Sequence, residues 1–179
     1  MTGLTIPAGP DEITPEWLTE ALRSTGTISH ANVVGLESER LGVGQGFVGQ
    51  VFRFTLEYDA PNPGSPQTLV AKLASADLDL RASTFGLNQN EVYFYKEIAP
   101  EVKLPTPRLY YGAADADTSF SILLLEDISN ARVGDNLAGC STEEARLCFR
   151  QIAKFHAEWW ESPRLAKFPG YNPSPTKGR

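Results

Sequence analysis

An α+β fold, built on a mostly antiparallel five-stranded sheet, is predicted for this 179-residue chain by three observations. Gln50-Val51-Phe52-Arg53-Phe54-Thr55-Leu56-Glu57-Tyr58 alternates with period two, the signature of a half-buried strand. The links on either side of the strand-like segments are short and turn-rich, as antiparallel neighbours require. The element order reads helix, strand, glycine loop, strand, strand, helix, strand, strand, connector, helix, an α+β layout in which most strands are joined by hairpins.

Each element follows in order. Thr14-Pro15-Glu16, ahead of Trp17-Leu18 and Ala21-Leu22, reads as an N-cap, a proline at the first helical position and an apolar face, with Gly26 just past the end. This predicts a helix over about 14–25. Val33 to Arg40 reads as a strand and runs into a glycine cluster over 42–49. In the next strand Val51, Arg53, Thr55 and Glu57 face one way, and Phe52, Phe54, Leu56 and Tyr58 the other. Ala60-Pro61-Asn62-Pro63-Gly64-Ser65-Pro66 is a loop, and Thr68 to Leu73 is the third strand. A polar segment is expected next, then a helix near Asn88 to Ala99, with Pro100, Pro105 and Pro107 marking its exit. Arg108 to Ala113 and Ser119 to Leu125 read as a hairpin tipped by Asp115-Ala116-Asp117. The continuous apolar run Ile122-Leu123-Leu124-Leu125 predicts burial on both faces. Ser141-Thr142-Glu143-Glu144 is a capping box opening a long helix striped by Ala145, Cys148, Ile152, Phe155 and Trp159.

Composition narrows the function. Apolar residues make up 41% of the chain, enough for a core. A net charge of −6 argues against a nucleic-acid partner, which needs a basic face. The absence of a long apolar run argues against a membrane. Two cysteines, Cys140 and Cys148, exclude a disulfide framework and fit a reducing, cytoplasmic setting.

Three features carry chemistry. Gly44-x-Gly46-x-x-Gly49 precedes a strand where the dinucleotide fold would open a helix, so it matches G-x-G-x-x-G-x-V through Val51. Glycines let a backbone approach phosphates closely. Taken alone, they fit a hairpin tip as well. Lys72 interrupts the apolar strand Leu69-Val70-Ala71-Lys72-Leu73, either solvated or held inward by an anion. Glu91 shares a helical stripe with Phe94, Tyr95 and Ile98, where a carboxylate asks for a cation unless it reaches water. Lys72 is the obvious partner.

Together with Val70-Ala71-Lys72, Asn90-Glu91-Val92-Tyr93-Phe94-Tyr95, Leu123-Leu124-Leu125-Glu126-Asp127-Ile128 and Ile152-Ala153-Lys154-Phe155-His156-Ala157-Glu158-Trp159-Trp160, this order resembles the kinase-like small-molecule phosphotransferases. These are the aminoglycoside phosphotransferase, choline kinase and ecdysteroid-kinase-like superfamily. The likeness covers roughly Trp17 to Trp160. It implies a protein-kinase-like N-lobe over 1–127 whose helix pairs with the strand lysine. A hinge and connector over 128–140, a first C-lobe helix over 141–161 and an extended or disordered tail over 162–179 would follow. It also implies ATP as ligand. Gly44, Gln45, Gly46, Phe47, Gly49 and Val51 would border it, Lys72 would hold its phosphates and Glu91 would hold Lys72. Backbone groups of Glu126 and Ile128 would meet adenine.

Phosphoryl transfer also needs an aspartate that orients the acceptor, and magnesium ligands. In the superfamily these follow the long helix on an H-G/N-D-x-x-x-x-N loop and a later acidic segment. Neither His30 nor His156 opens such a loop, and His156 reads as a packed helix-surface residue. Asp77-Leu78-Asp79 and Asp115-Ala116-Asp117 come too early and read as solvated turns. The expectation is the ATP-binding half of a small-molecule kinase, truncated before its catalytic loop. No catalytic or metal-binding residues are assigned to it, and magnesium is expected only with the missing lobe. A nucleotide-sensing or partner-binding pseudokinase is the alternative. The helix over 141–160 is expected to stay open for a complementary lobe or for self-association.

Overall fold

The computed structural model describes residues 3–42, 49–60, 63–132, 134 and 137–168. Helix α1 (Pro15–Ser24) is capped by Thr14, whose hydroxyl oxygen accepts from the Trp17 N–H at 3.2 Å. Strands β1 (Val33–Leu41), β2 (Gly49–Tyr58) and β3 (Thr68–Ala74) follow. Helix α2 (Leu78–Tyr93) then crosses to the hairpin of β4 (Leu109–Ala114) and β5 (Ser121–Glu126). Every pairing is antiparallel and the order is β1-β2-β3-β5-β4, so β5 returns from the far hairpin to seat beside β3.

The two faces of the sheet carry different loads. Phe52, Phe54 and Leu56 of β2, Leu69, Ala71 and Leu73 of β3, and Ile122 and Leu124 of β5 bury into one cluster with Leu18, Ala21 and Leu22 of α1. Trp17 meets Tyr111 edge to face at 5.5 Å, carrying α1's contact as far as β4. The alternation in β2 therefore follows the predicted faces. On the opposite face, Leu123 and Leu125 pack against Val92 of α2. Strand β5 is thus apolar on both sides because a helix lies over each.

The crossover helix departs from expectation. It begins about ten residues earlier than predicted, at Leu78, because the Asp77 carboxylate caps it by accepting from the Leu80 N–H at 2.8 Å. Asp77-Leu78-Asp79 is therefore a helix start and not a solvated turn. The first half escaped detection because it has no apolar stripe. Leu78 and Leu87 are exposed, while the polar Thr84 is buried and returns its hydroxyl to the Leu80 carbonyl. From Phe94 to Ile98 the backbone widens into one π-helical turn, so the expected stripe of Phe94, Tyr95 and Ile98 does not continue in α-helical register. Val92 is the buried residue and Tyr95 packs beside it. The Asp115 tip does form a turn, its carboxylate accepting from the Asp117 N–H and the Thr118 hydroxyl. Those two hydrogen bonds, the backbone one leading, hold its pKa below the ordinary aspartate value.

Helix α3 (Thr142–Trp159) opens on the Ser141–Glu144 capping box, and Glu144 also pairs with Arg132. Its C-terminal end is tied to the segment before β4 through Arg164, which donates to the Glu101 carbonyl at 2.7 Å and to Glu158 at 3.3 Å. Two expectations are corrected here. Pro163–Lys167, at the start of the tail expected to be extended or disordered, forms a 3₁₀ turn. Trp159, expected to lie open on the stripe, is buried, with the Arg164 guanidinium 4.1 Å above its ring and Phe168 5.7 Å away. Phe149 and Trp160 remain 71% and 75% exposed. Among the described residues no helix is long and apolar enough to cross a membrane.

Candidate functional site

A row of paired residues across the sheet sets the site. Val51 of β2 stands opposite Lys72 of β3, and Lys72 stands opposite Leu123 of β5. Leu123 packs against α2, so this row lies on the α2 side of the sheet. Helix α2 supplies Glu91, and Lys72 Nζ and Glu91 Oε1 form an ion pair. Their side chains are 38% and 35% exposed, so the pair stands at the wall of an open cleft and is not sealed inside. The cleft has a volume of about 330 Å³ and runs from Gly49, Gln50 and Val51 across Lys72 to Asn88 and Glu91 of α2.

The electrostatics are uneven. Glu91 is neutralised by Lys72, whereas the side-chain nitrogen of Asn88 is shut off from water without a hydrogen-bond partner among the described residues. Burial lifts the Tyr95 phenol above its ordinary pKa range, and the Glu91 charge adds to that shift. The cleft wall thus carries an ion pair of no net charge, whose ammonium keeps further N–H donors, and an amide nitrogen without a partner among the described residues.

Gly49 has a reason of its own to be glycine. A Cβ there would lie 2.5 Å from the Leu73 carbonyl oxygen of the neighbouring strand, so only a bare Cα fits. Gly44, Gln45, Gly46 and Phe47 fall outside the described residues. Glu126 and Ile128 do not line the cleft. They lie at the far end of β5 and just beyond it, and Glu126 is three residue steps along the strand from Leu123, about 10 Å at the usual rise. The Glu126 carboxylate accepts from the Arg108 N–H at 3.1 Å, closing the end of the β4–β5 ladder. Ile128 is exposed.

This segment makes a contact with β2 that sequence reasoning missed. Asp127 reads in the sequence as the polar end of a strand, yet its side chain is only 5% exposed. It accepts from Arg53 of β2 through both oxygens, at 2.8 Å from Nε and 3.3 Å from Nη2. Glu39 of β1 takes the remaining Arg53 contact at 3.1 Å. The hydrogen bond and charge of Asp127 raise the guanidinium's pKa above the ordinary arginine value, with Glu39 assisting. Arg53 therefore fastens the residues after β5 to the strand that follows the glycine-rich segment. The one available signal was weak: Arg53 shares a strand face with Val51.

His156 is exposed on α3, and Cys140 and Cys148 are exposed free thiols. Among the described residues, no three His, Cys, Asp or Glu side chains gather to hold a metal.

No curated protein and no solved structure gives a significant match. A model of the ecdysteroid kinase-like family matches residues 43–158, from the glycine-rich segment to the end of α3. That span is well over half the chain and takes in Lys72, Glu91 and the Arg53–Asp127 contact. The chain belongs to the ecdysteroid kinase-like family.

Proposed function

We propose that this chain carries the ATP-binding half of a small-molecule kinase, one that transfers phosphate to an alcohol group, and that it works in the cytoplasm. The observation carrying this reading is the Lys72–Glu91 pair, set in a cleft bordered by the strand that follows the glycine-rich segment. Lys72 would hold the α- and β-phosphates, and Glu91 would keep its ammonium aimed into the cleft. Gly44, Gln45, Gly46 and Phe47 would lie over the phosphates, while Gly49 and Val51 would border the nucleotide from β2. The Glu126 carbonyl and the Ile128 N–H would meet the adenine edge, on a segment that Arg53 steadies through Asp127. Magnesium would offset phosphate charge during transfer. Its ligands and the acceptor-orienting aspartate would come from a complementary lobe, because the H-x-D-x-x-x-x-N pattern does not occur in this sequence. The chain by itself is expected to turn over no ATP.

Calorimetry with ATP tests the reading. A net charge of −6 opposes a polyanion, so affinity is expected at high micromolar, about −5 to −6 kcal/mol. Lys72→Ala deletes a charge-assisted contact of about 1.5–3 kcal/mol and leaves Glu91 facing the phosphates uncompensated. Binding should then fall at least about tenfold. No heat from the wild type at millimolar ATP, or an unchanged Lys72→Ala titration, would sink the reading.

A partner-binding role has its own support in α3. Phe149 and Ile152 are exposed at i and i+3, and Trp160 is exposed at the helix end. Aromatic surface of this size, about 150–250 Å² per ring, is what an interface covers. The helix over 141–160 would take a complementary lobe or a second copy of the chain. Sedimentation of the chain alone should show concentration-dependent association that Phe149→Ser weakens. Monomer behaviour at all concentrations would leave only the complementary lobe as partner.

A further inference from the structure

Asn88 stands one helical turn before Glu91 on α2 and lines the same cleft. Its Nδ2 is excluded from water, yet it makes no hydrogen bond among the described residues. An amide donor in that state costs free energy that native proteins normally avoid. Of its neighbours in the cleft wall, Leu87 and Val92 have apolar side chains, and Glu91 is engaged by Lys72. A turn of the side-chain amide toward the cleft that Asn88 lines would let a ligand oxygen supply the missing acceptor. We propose that Asn88 is a phosphate-contacting residue, donating its side-chain N–H to the polyphosphate of the bound nucleotide beside Lys72.

The inference rests on the nucleotide reading above and adds a residue to it. The chemistry favours a phosphate oxygen over a base or sugar atom for two reasons. Lys72 Nζ enters the cleft from the facing strand, so an anion drawn to the lysine comes up against the same helix face. A neutral amide can donate to that anion, where another carboxylate would repel it. Asparagine is also an ordinary residue on a helix surface, so nothing in the sequence sets Asn88 apart.

The experiment compares ATP with adenosine, which lacks the phosphates, on the wild type and on Asn88→Ala, Asn88→Ser and Asn88→Asp, with thermal melting of each. Asn88→Ala should weaken ATP about tenfold and leave adenosine within twofold. Asn88→Asp should weaken ATP further, because a carboxylate then faces the phosphates. Asn88→Ser serves in place of Asn88→Ala if the latter melts early. ATP and adenosine weakened equally, or neither weakened, would overturn the inference while leaving the nucleotide reading in place. A wild type that binds no ATP would fail the reading itself and the inference with it.

Discussion

Phe54→Ala is expected to remove about 3–5 kcal/mol of folding stability, the usual cost of deleting a buried aromatic ring. Phe54 is 0% exposed and sits in the middle of β2, within the cluster that joins the sheet to α1. Strands β1 and β3 flank it on either side, so the surrounding backbone has little freedom to collapse into the space. A loss of that size is a large share of the roughly 5–15 kcal/mol that holds a domain together. Phe149→Ala removes the same atoms from a side chain that is 71% exposed, and should cost no more than about 0.5 kcal/mol. Urea unfolding of the two variants beside the wild type makes the comparison. Similar midpoints for the two would show that the sheet's α1 face is not where its stability resides.

The second large effect concerns the Arg53–Asp127 contact, and it is asymmetric. Arg53→Ala leaves a carboxylate that is 5% exposed with no cation beside it. Breaking a fully buried pair costs about 3–5 kcal/mol; because Arg53 is one-third exposed, water can enter and about 2–3 kcal/mol is expected. Asp127→Ala leaves an arginine that keeps Glu39 and can turn toward solvent, so about 1 kcal/mol suffices. The double variant should cost clearly less than the sum of the two, with a coupling above about 1 kcal/mol. ATP affinity should fall in both single variants, since the residues after β5 would no longer be fastened to β2. Equal single costs with no coupling would mean that the contact is incidental.

Much of this fold is legible in the sequence, because local signals and tertiary structure agree over most of it. Pro15, the β2 alternation and the Ser141–Glu144 box each sit where their elements start or run. The first half of α2 is hidden for a physical reason: one side of it is open to water and the other buries Thr84, so no apolar period forms. Lys72 and Glu91 were readable because each is a charge set among apolar neighbours. Arg53 and Asp127 were not, because a charged residue on an alternating strand and an acid at a strand end both look solvated until the sheet brings them together. The cover over Trp159 comes from residues beyond a proline, where the sequence suggested extended chain.

The strand order also bears on how the molecule folds. Within the sheet, β1 with β2, β2 with β3, and β4 with β5 join sequence neighbours, pairings that zip early at little loop-closure cost. The β3–β5 seam joins the strands furthest apart in sequence, across the whole α2–β4 segment, so it is expected to carry the largest loop-closure cost in the sheet. Lys72 and Leu123 face each other across that seam, and Glu91 arrives on the segment that closes it. The cleft therefore depends on the sheet's most non-local pairing, and a mutation that delays the seam is expected to slow assembly of the Lys72–Glu91 wall even if final stability is unchanged.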